Sequence, residues 1–248
     1  MNSNTRIALV TGANKGLGLE TARQLVRQDI FVIVTARNAL RLAETKTLFE
    51  NEGLQADFVQ LDVTDMASIH NVAAYIEVQY QRLDILINNA AIAEGIAKPP
   101  LNNSADLPMS TLKNVFETNV FGLIAVTQAL LPLLRKSPEG RIVNLSSGLG
   151  SLTLHSDPSS YLYQIKTLAY NSSKSAVNQF TIHLAEALHN TTIKVNSVSP
   201  GWVKTDLAGP DAPMQVADGA RIIVKAATLP GDGPTGSFFT HEMRIMPW

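Results

Sequence analysis

With 248 residues, and 20 Lys and Arg against 21 Asp and Glu, the chain has room for one sizeable core and carries a net charge of −1. That balance lacks the basic excess needed to neutralise phosphates, so nucleic acid is not an expected partner. The absence of cysteine excludes disulfides, cysteine-ligated metals and thiol nucleophiles, and no run approaches the roughly 20 apolar residues of a membrane span, so a cytoplasmic protein is expected, without membrane attachment.

In chain order, Ile7–Val10 is the first strand-like run, too short for the apolar core of a signal peptide. It leads into Thr11-Gly12-Ala13-Asn14-Lys15-Gly16-Leu17-Gly18, which opens a helical pattern over Leu17–Gln28. Glycines in such a strand-turn-helix context let backbone approach a phosphate, and the helix start offers free N–H groups and a partial positive charge. Gly12, Asn14, Lys15, Gly16, Leu17 and Gly18 are therefore candidate pyrophosphate contacts. The second strand, Ile30–Thr35, runs into Ala36-Arg37 where an NAD-binding site of this kind normally has a carboxylate for the ribose hydroxyls. Arg37 and Lys15 together suit an extra phosphate on the adenosine ribose, which favours NADPH over NADH.

A helical pattern over Ala39–Asn51 follows, then a strand over Ala56–Leu61 ending in Asp62-Val63. Asp62 can accept from an adenine amino group, with Val63 beside it, while Asp65 is the better cap for the next helix, Met66–Gln81. The fourth strand, Leu83–Asn88, ends in Asn89-Ala90-Ala91 near the expected ribose, small enough for close backbone approach. Beyond a long loop, Ala93 to Pro108, come a helix over Ser110–Leu134 that reads as buried, and a strand over Arg141–Ser146. The loop Gly148 to Ala169 precedes a helix over Tyr170–His189. In it, Tyr170-Asn171-Ser172-Ser173-Lys174 stacks a phenol and an ammonium on one face. A nearby cation, joined by that of an oxidised nicotinamide, would lower the phenol from its usual pKa of about 10, and the pair suits proton transfer to a carbonyl oxygen. Strands over Ile193–Ser199 and Ser237–Thr240 flank a loop, Val203 to Gln215, and a helix over Val216–Ala227.

The alternation predicts a Rossmann-type doubly wound α/β fold, a parallel sheet of about seven strands flanked by helices, in a single domain over 1–248. The cofactor half is expected at about 1–145 and the catalytic and substrate half at about 146–248. Because ligands of open α/β sheets bind outside the carboxyl ends of the strands, the site is expected beneath the three long loops.

Taken together, Thr11 to Gly18, Asp62, Asn88 to Ala91, Asn119, Ser146-Ser147, Tyr170 to Lys174 and Pro200-Gly201 resemble the short-chain dehydrogenases/reductases over nearly the whole chain. Asn14-Lys15-Gly16, Thr35-Ala36-Arg37 and the tail Pro200 to Pro210 look like the monomeric NADPH-dependent carbonyl reductase branch. The resemblance implies that Tyr170 donates a proton to the substrate oxygen, that Lys174 lowers its pKa and binds the nicotinamide ribose, and that Ser147 hydrogen-bonds the carbonyl. It makes Asn119 the holder of a relay water reaching Lys174. Ser147 fits better than its alternative Ser146 because the family places a glycine three residues on, here Gly150. Pro200-Gly201 would turn the chain across the nicotinamide, with Val203 and Thr205 at the cofactor and Trp202 either lining the substrate pocket or merely packing.

The chain departs from the family in Ala91, usually Gly, and in a Ser147-to-Tyr170 stretch longer than the common form yet shorter than in the carbonyl reductases, which leaves monomer or homo-oligomer open. The pocket walls, Ile92 to Pro100, Leu149 to Leu168 and Trp202 to Pro213, are apolar, so a hydrophobic or aromatic small-molecule carbonyl is the expected substrate, NADPH/NADP the cofactor, and no metal is called for. Two other readings stand beside this one: an NAD-linked alcohol or steroid dehydrogenase, and a non-catalytic NADPH-binding sensor.

Overall fold

Strands β1 (Ile7–Val10), β4 (Ile85–Asn88) and β5 (Arg141–Leu145) are buried at every position, which is why they appear in the sequence as continuous apolar runs without alternation. In the computed structural model, which describes residues 5–93 and 104–248, they form the middle of a seven-stranded sheet. The others are β2 (Phe31–Ala36), β3 (Ala56–Gln60), β6 (Lys194–Val198) and β7 (Ser237–Phe239), in the order β3-β2-β1-β4-β5-β6-β7. Every pairing is parallel. The chain winds outward from β1 to β3, then crosses to β4, so the strand order reverses between β1 and β4 and opens a crevice at their carboxyl ends.

Helices cover both faces. On one side α1 (Gly16–Val26), α2 (Ala39–Asn51) and α8 (Val216–Ala227) bury Leu25, Leu42, Phe49 and Ile223 against Val10, Val34 and Ile87. On the other, α3 (Met66–Tyr80), α5 (Leu123–Leu134) and α7 (Leu168–Ala187) bury Ile69, Val126, Leu130 and Ala185 against Leu9, Leu86 and Ile142. Apolar burial on two faces is the main stabilising term, at about 25 cal/mol per Å² removed from water. The doubly wound class expected from the alternation is the observed one.

A polar chain runs through the apolar sheet. Asn88 Nδ2 donates to Thr127 Oγ1 at 2.9 Å and to Asn144 Oδ1 at 2.8 Å, and Asn144 Nδ2 donates to Thr181 Oγ1 at 2.9 Å. Thr181 in turn bonds Ser197, 2.8 Å away. Buried amides need partners, and these tie β4, β5, β6, α5 and α7 in one relative position.

Two elements differ from the sequence reading. The helix expected over Ser110–Leu134 is α4 (Met109–Phe116), a π-helical segment at Glu117–Gly122 and then α5. A methyl on Gly122 would sit 2.6 Å from the Val63 carbonyl oxygen, so the helix lies directly on the chain after β3. This stretch is long and apolar enough to cross a membrane by length and composition, with its most apolar window 50% buried, and α5 supplies core residues to the sheet. The loop after β5 also contains a 3-10 turn at Gly148–Gly150 and α6 (Leu152–Ser156), capped by Ser151 accepting from Leu154 N–H at 3.2 Å. Most of the expected wall Ile92 to Pro100 lies outside the described residues.

Candidate active site

The glycine turn after β1 meets the end of β4 at the sheet's switch point. Gly12 and Gly16 have φ of +62° and +54°, in the left-handed region that favours glycine. A methyl on Gly12 would lie 3.0 Å from Ala90 Cα, and one on Gly18 would lie 2.6 Å from the Gly12 carbonyl oxygen. Bare backbone is required there, and the first turn of α1 faces the cradle it makes.

Thr11 and Asn89 lock this cradle. Thr11 Oγ1 accepts from the N–H groups of Asn89 and Ala90, both at 2.9 Å, and Asn89 Nδ2 donates to the Thr11 and Gly12 carbonyls at 2.8 and 3.0 Å. Both amide hydrogens of Asn89 are thus engaged with the turn itself, and only its carbonyl oxygen and backbone remain for a ribose. Thr11 was not singled out in the sequence, although a hydroxyl directly before a glycine turn is its signal. Ala90 and Ala91 stay outside positive φ, so the alanine that replaces the family glycine costs no backbone strain.

At the adenosine end, Arg37 is exposed at the end of β2, and among the described residues its guanidinium has no partner. Lys15 is also exposed, and its ammonium pairs with Asp206 at 2.7 Å. Asn14 is joined to α2 by a long hydrogen bond from Thr45 Oγ1 to its carbonyl, 3.4 Å. Arg41, one turn earlier on α2 and paired with Glu44 at 2.8 Å, is a further cation on this side that sequence reasoning passed over. Asp62 Oδ1 accepts from Thr64 N–H and Thr64 Oγ1 at 2.9 and 2.7 Å, which fixes its carboxylate after β3. Asp65, as expected, caps α3 by accepting from Ala67 N–H at 2.9 Å. Val63 is buried against the π-helical segment.

The chemical groups converge from β5, the π-helical segment and α7. Tyr170 and Lys174 are only 7% and 3% exposed, so neither is a surface pair. Lys174 Nζ donates to the Leu145 carbonyl at 2.7 Å and stands 5.5 Å from the centre of the Tyr170 ring. Two of its three donors remain available. Ser147 lies beside Tyr170 and acts to lower its pKa, and Ser147 Oγ accepts from Leu149 N–H at 3.2 Å. Ser146 is buried, with its hydroxyl 3.5 Å from the Lys174 carbonyl, so of the two serines Ser147 is the one that meets the phenol. Gly150 lies so close on α7 that a methyl there would be 2.7 Å from the Lys174 carbonyl carbon.

Asn119 sits within the π-helical segment. Its Oδ1 accepts from Ile92 N–H at 2.8 Å, while its Nδ2 donates to the Ile92 carbonyl at 2.9 Å and to Ser173 Oγ at 3.0 Å. The amide therefore clamps the chain after β4 to the catalytic helix.

Burial dominates the ionisation of the pair among the protein's own groups. Burial pushes Tyr170 up to about 12, against the opposing effect of neighbouring Ser147, and pushes the Lys174 ammonium down to about 8. Among the protein's own groups, desolvation of phenolate outweighs attraction to a cation 5.5 Å from the ring centre. The result is a neutral phenol beside a weakly held proton on Lys174.

After β6, Pro200 is buried and Gly201 has φ of +92°. Val203 is buried, and Thr205 lies 3.5 Å from where a methyl on Gly16 would be, so this strap reaches the glycine turn. Trp202 is 57% exposed with its indole N–H donating to the Ala208 carbonyl at 3.2 Å, so it does not pack in the core. Among the described residues, no cluster of three or more His, Asp or Glu could hold a metal.

Cradle, exposed cations and buried phenol-ammonium pair together fit a dinucleotide laid across the switch point, and the chain belongs to the short-chain dehydrogenase family, whose model matches residues 6–215. Within that family it is similar to carbonyl reductase (NADPH) 1 of Sus scrofa, with 34% identity over 100% of this chain and 96% of the relative. It is also similar to (-)-isopiperitenone reductase of Mentha piperita, 33% identical over 97% and 98% of the two chains. The crystal structure of NADPH-bound carbonyl reductase from chicken fatty liver superposes with a TM-score of 0.85 at 30% identity, covering 98% of this chain and 99% of that one.

Proposed function

We propose that the protein is an NADPH-dependent carbonyl reductase that converts a hydrophobic ketone or aldehyde to the alcohol. The observation that carries this reading is the buried Tyr170, beside Ser147 and one turn from Lys174. The two kinds of relative named for NADPH and for carbonyl reduction support it across the full chain.

In this reading Gly12, Asn14, Gly16, Leu17 and Gly18 present backbone to the pyrophosphate, while Arg37 and Lys15 hold the adenosine 2′-phosphate. Asp62 and Val63 border the adenine, and Asn89 and Ala90 border the adjoining ribose. Pro200, Gly201, Val203 and Thr205 close over the nicotinamide side. Bound NADPH supplies the hydride.

Lys174 holds the nicotinamide ribose with the N–H groups not given to Leu145, and Ser147 and Tyr170 direct their hydroxyls at the substrate oxygen. Tyr170 gives its proton to that oxygen as negative charge develops there. A phenol kept neutral by burial is in the right state for this at any neutral pH. Proton transfer and oriented donors at the oxygen supply the electrostatic stabilisation. The Asn119 amide is engaged with Ile92 and Ser173, so a relay water at this turn rests on backbone and passes its proton toward Lys174. Exposed Leu152, Tyr161 and Trp202 on the loops after β5 and β6 favour an apolar substrate.

The test is a screen of NADPH oxidation against aromatic ketones, ketoesters, quinones and steroids. Reduction of an apolar carbonyl is the expected result. NADPH binding without reduction anywhere on the panel contradicts the reading and favours a sensor.

A further inference from the structure

The loop between β6 and α8 is pinned to itself and to the glycine turn. Lys204 N–H donates to the Met214 carbonyl at 2.9 Å and Met214 N–H to the Trp202 carbonyl at 3.2 Å, which closes the loop at its root. A methyl on Gly219 of α8 would touch both Val203 Cγ2, at 2.6 Å, and Leu17 Cδ2, at 2.9 Å, so root, α8 and α1 pack together. From this base the loop brings Thr205 against Gly16 and places the Asp206 carboxylate 2.7 Å from the Lys15 ammonium. The pair joins residues 191 positions apart, and its side chains are 67% and 78% exposed.

We propose that Asp206 is a specificity-determining residue that competes with the adenosine 2′-phosphate for Lys15. The proposal rests on the placement of Lys15 at that phosphate given above. Lys15 carries one charge, and Asp206 neutralises it in advance. Arg37 has no such partner among the described residues, so the two cations are unequal: one stands ready and the other must be taken from a carboxylate. A phosphate monoester near its dianionic state, with three acceptor oxygens, wins against a single exposed carboxylate. It still gives up part of its affinity to breaking the pair and to repulsion from Asp206, which stays within the roughly 8–10 Å reach of unscreened charge. NADH has no 2′-phosphate and leaves the pair intact. Asp206 thereby loosens only the phosphate-bearing cofactor.

The test is fluorescence titration of NADPH and NADH into the wild type, Asp206→Asn, Lys15→Ala and the double variant. Asp206→Asn is expected to tighten NADPH about two- to five-fold, the range of an exposed ion pair, with NADH unchanged. In the Lys15→Ala background the same substitution is expected to tighten NADPH by less than in the wild type, since only the repulsion from Asp206 is left to relieve, and to leave NADH unchanged. Unchanged or weakened NADPH binding in Asp206→Asn overturns the proposal, a weakening meaning that the pair supports the strap instead of competing. If Lys15→Ala keeps the wild-type ratio of the two affinities, Lys15 does not hold the 2′-phosphate and the proposal falls with that reading. If Lys15→Ala loses NADPH preference while Asp206→Asn changes nothing, only the competition is refuted.

Discussion

Gly150→Ala tests whether the position of the serine turn on α7 sets catalytic geometry. The added methyl would lie 2.7 Å from the Lys174 carbonyl carbon, 2.8 Å from its Cβ and 3.0 Å from its carbonyl oxygen. Ordinary carbon contacts need about 3.5–4.0 Å, so the turn and the helix must part by roughly 1 Å. The obstacle is overlap with helix backbone, since Gly150 does not adopt positive φ. Parting them also stretches the bonds that the Gly150 carbonyl accepts from Ser175 Oγ at 2.9 Å and Asn178 Nδ2 at 3.4 Å. Overpacking of this kind costs about 1–3 kcal/mol, and a chain of this length loses about 2–4 °C of Tm per kcal/mol. The same displacement separates Ser147 from Tyr170, and about 1 Å of misplacement costs on the order of 100-fold in kcat. Thermal denaturation, kcat and NADPH titration read these together: a lower Tm, a much lower kcat and an NADPH affinity near wild type, because the glycine turn is untouched. A variant with wild-type kcat refutes the reasoning.

Ser147→Ala is expected to lower kcat by about 100-fold through loss of a donor at the substrate oxygen, whereas Ser146→Ala, which removes only a 3.5 Å contact, keeps kcat within a few-fold; equal losses contradict the assignment. Arg37→Asp is expected to weaken NADPH by at least tenfold and to spare or improve NADH, which also separates this reading from an NAD-linked dehydrogenase; steady-state KM for both cofactors checks it. Burial lowers Lys174 from 10.5 to about 8, so between those pH values the unfolded chain holds a proton that the folded one has lost, and this group's destabilising effect, full below pH 8, is relieved as pH rises through the window. Lys174→Met, even without the bond to Leu145, is therefore expected to be more stable than wild type by on the order of 1–2 kcal/mol at pH 7, with the gain shrinking toward pH 10 and turnover abolished. A Tm at pH 7 equal to or below wild type counts against it.

Sequence pattern revealed most of this fold because each strand is a short apolar run between recognisable helices, the glycine turn is a continuous run, and Tyr170 and Lys174 lie four residues apart on one helix, so that spacing carries their geometry. Asn119 could not be read that way. Its position depends on a π-helical segment that nothing in Glu117-Thr118-Asn119-Val120 announces, and its partner Ile92 lies in the distant chain after β4. Asn89 was seen at the right place, but its engagement with Thr11 and Gly12 depends on β1 and β4 being neighbours, a topological fact. The Lys15–Asp206 pair likewise needs the loop after β6 folded back onto the turn after β1. Residue spacing also shows the cation near Tyr170 and says nothing of the desolvation that raises its pKa among the protein's own groups. The α6 turn was also unseen, since its anchors, the Pro247 and Trp248 carbonyls, come from the far end of the chain.

Stopped-flow NADPH oxidation with Tyr170→Phe, alongside cofactor titration of the same protein, most directly examines whether the buried hydroxyl is the acid. The account predicts a loss of hydride-transfer rate of about 10²–10⁴-fold with NADPH affinity within about two-fold of wild type. Turnover persisting near the wild-type rate in a protein lacking only that oxygen would contradict it.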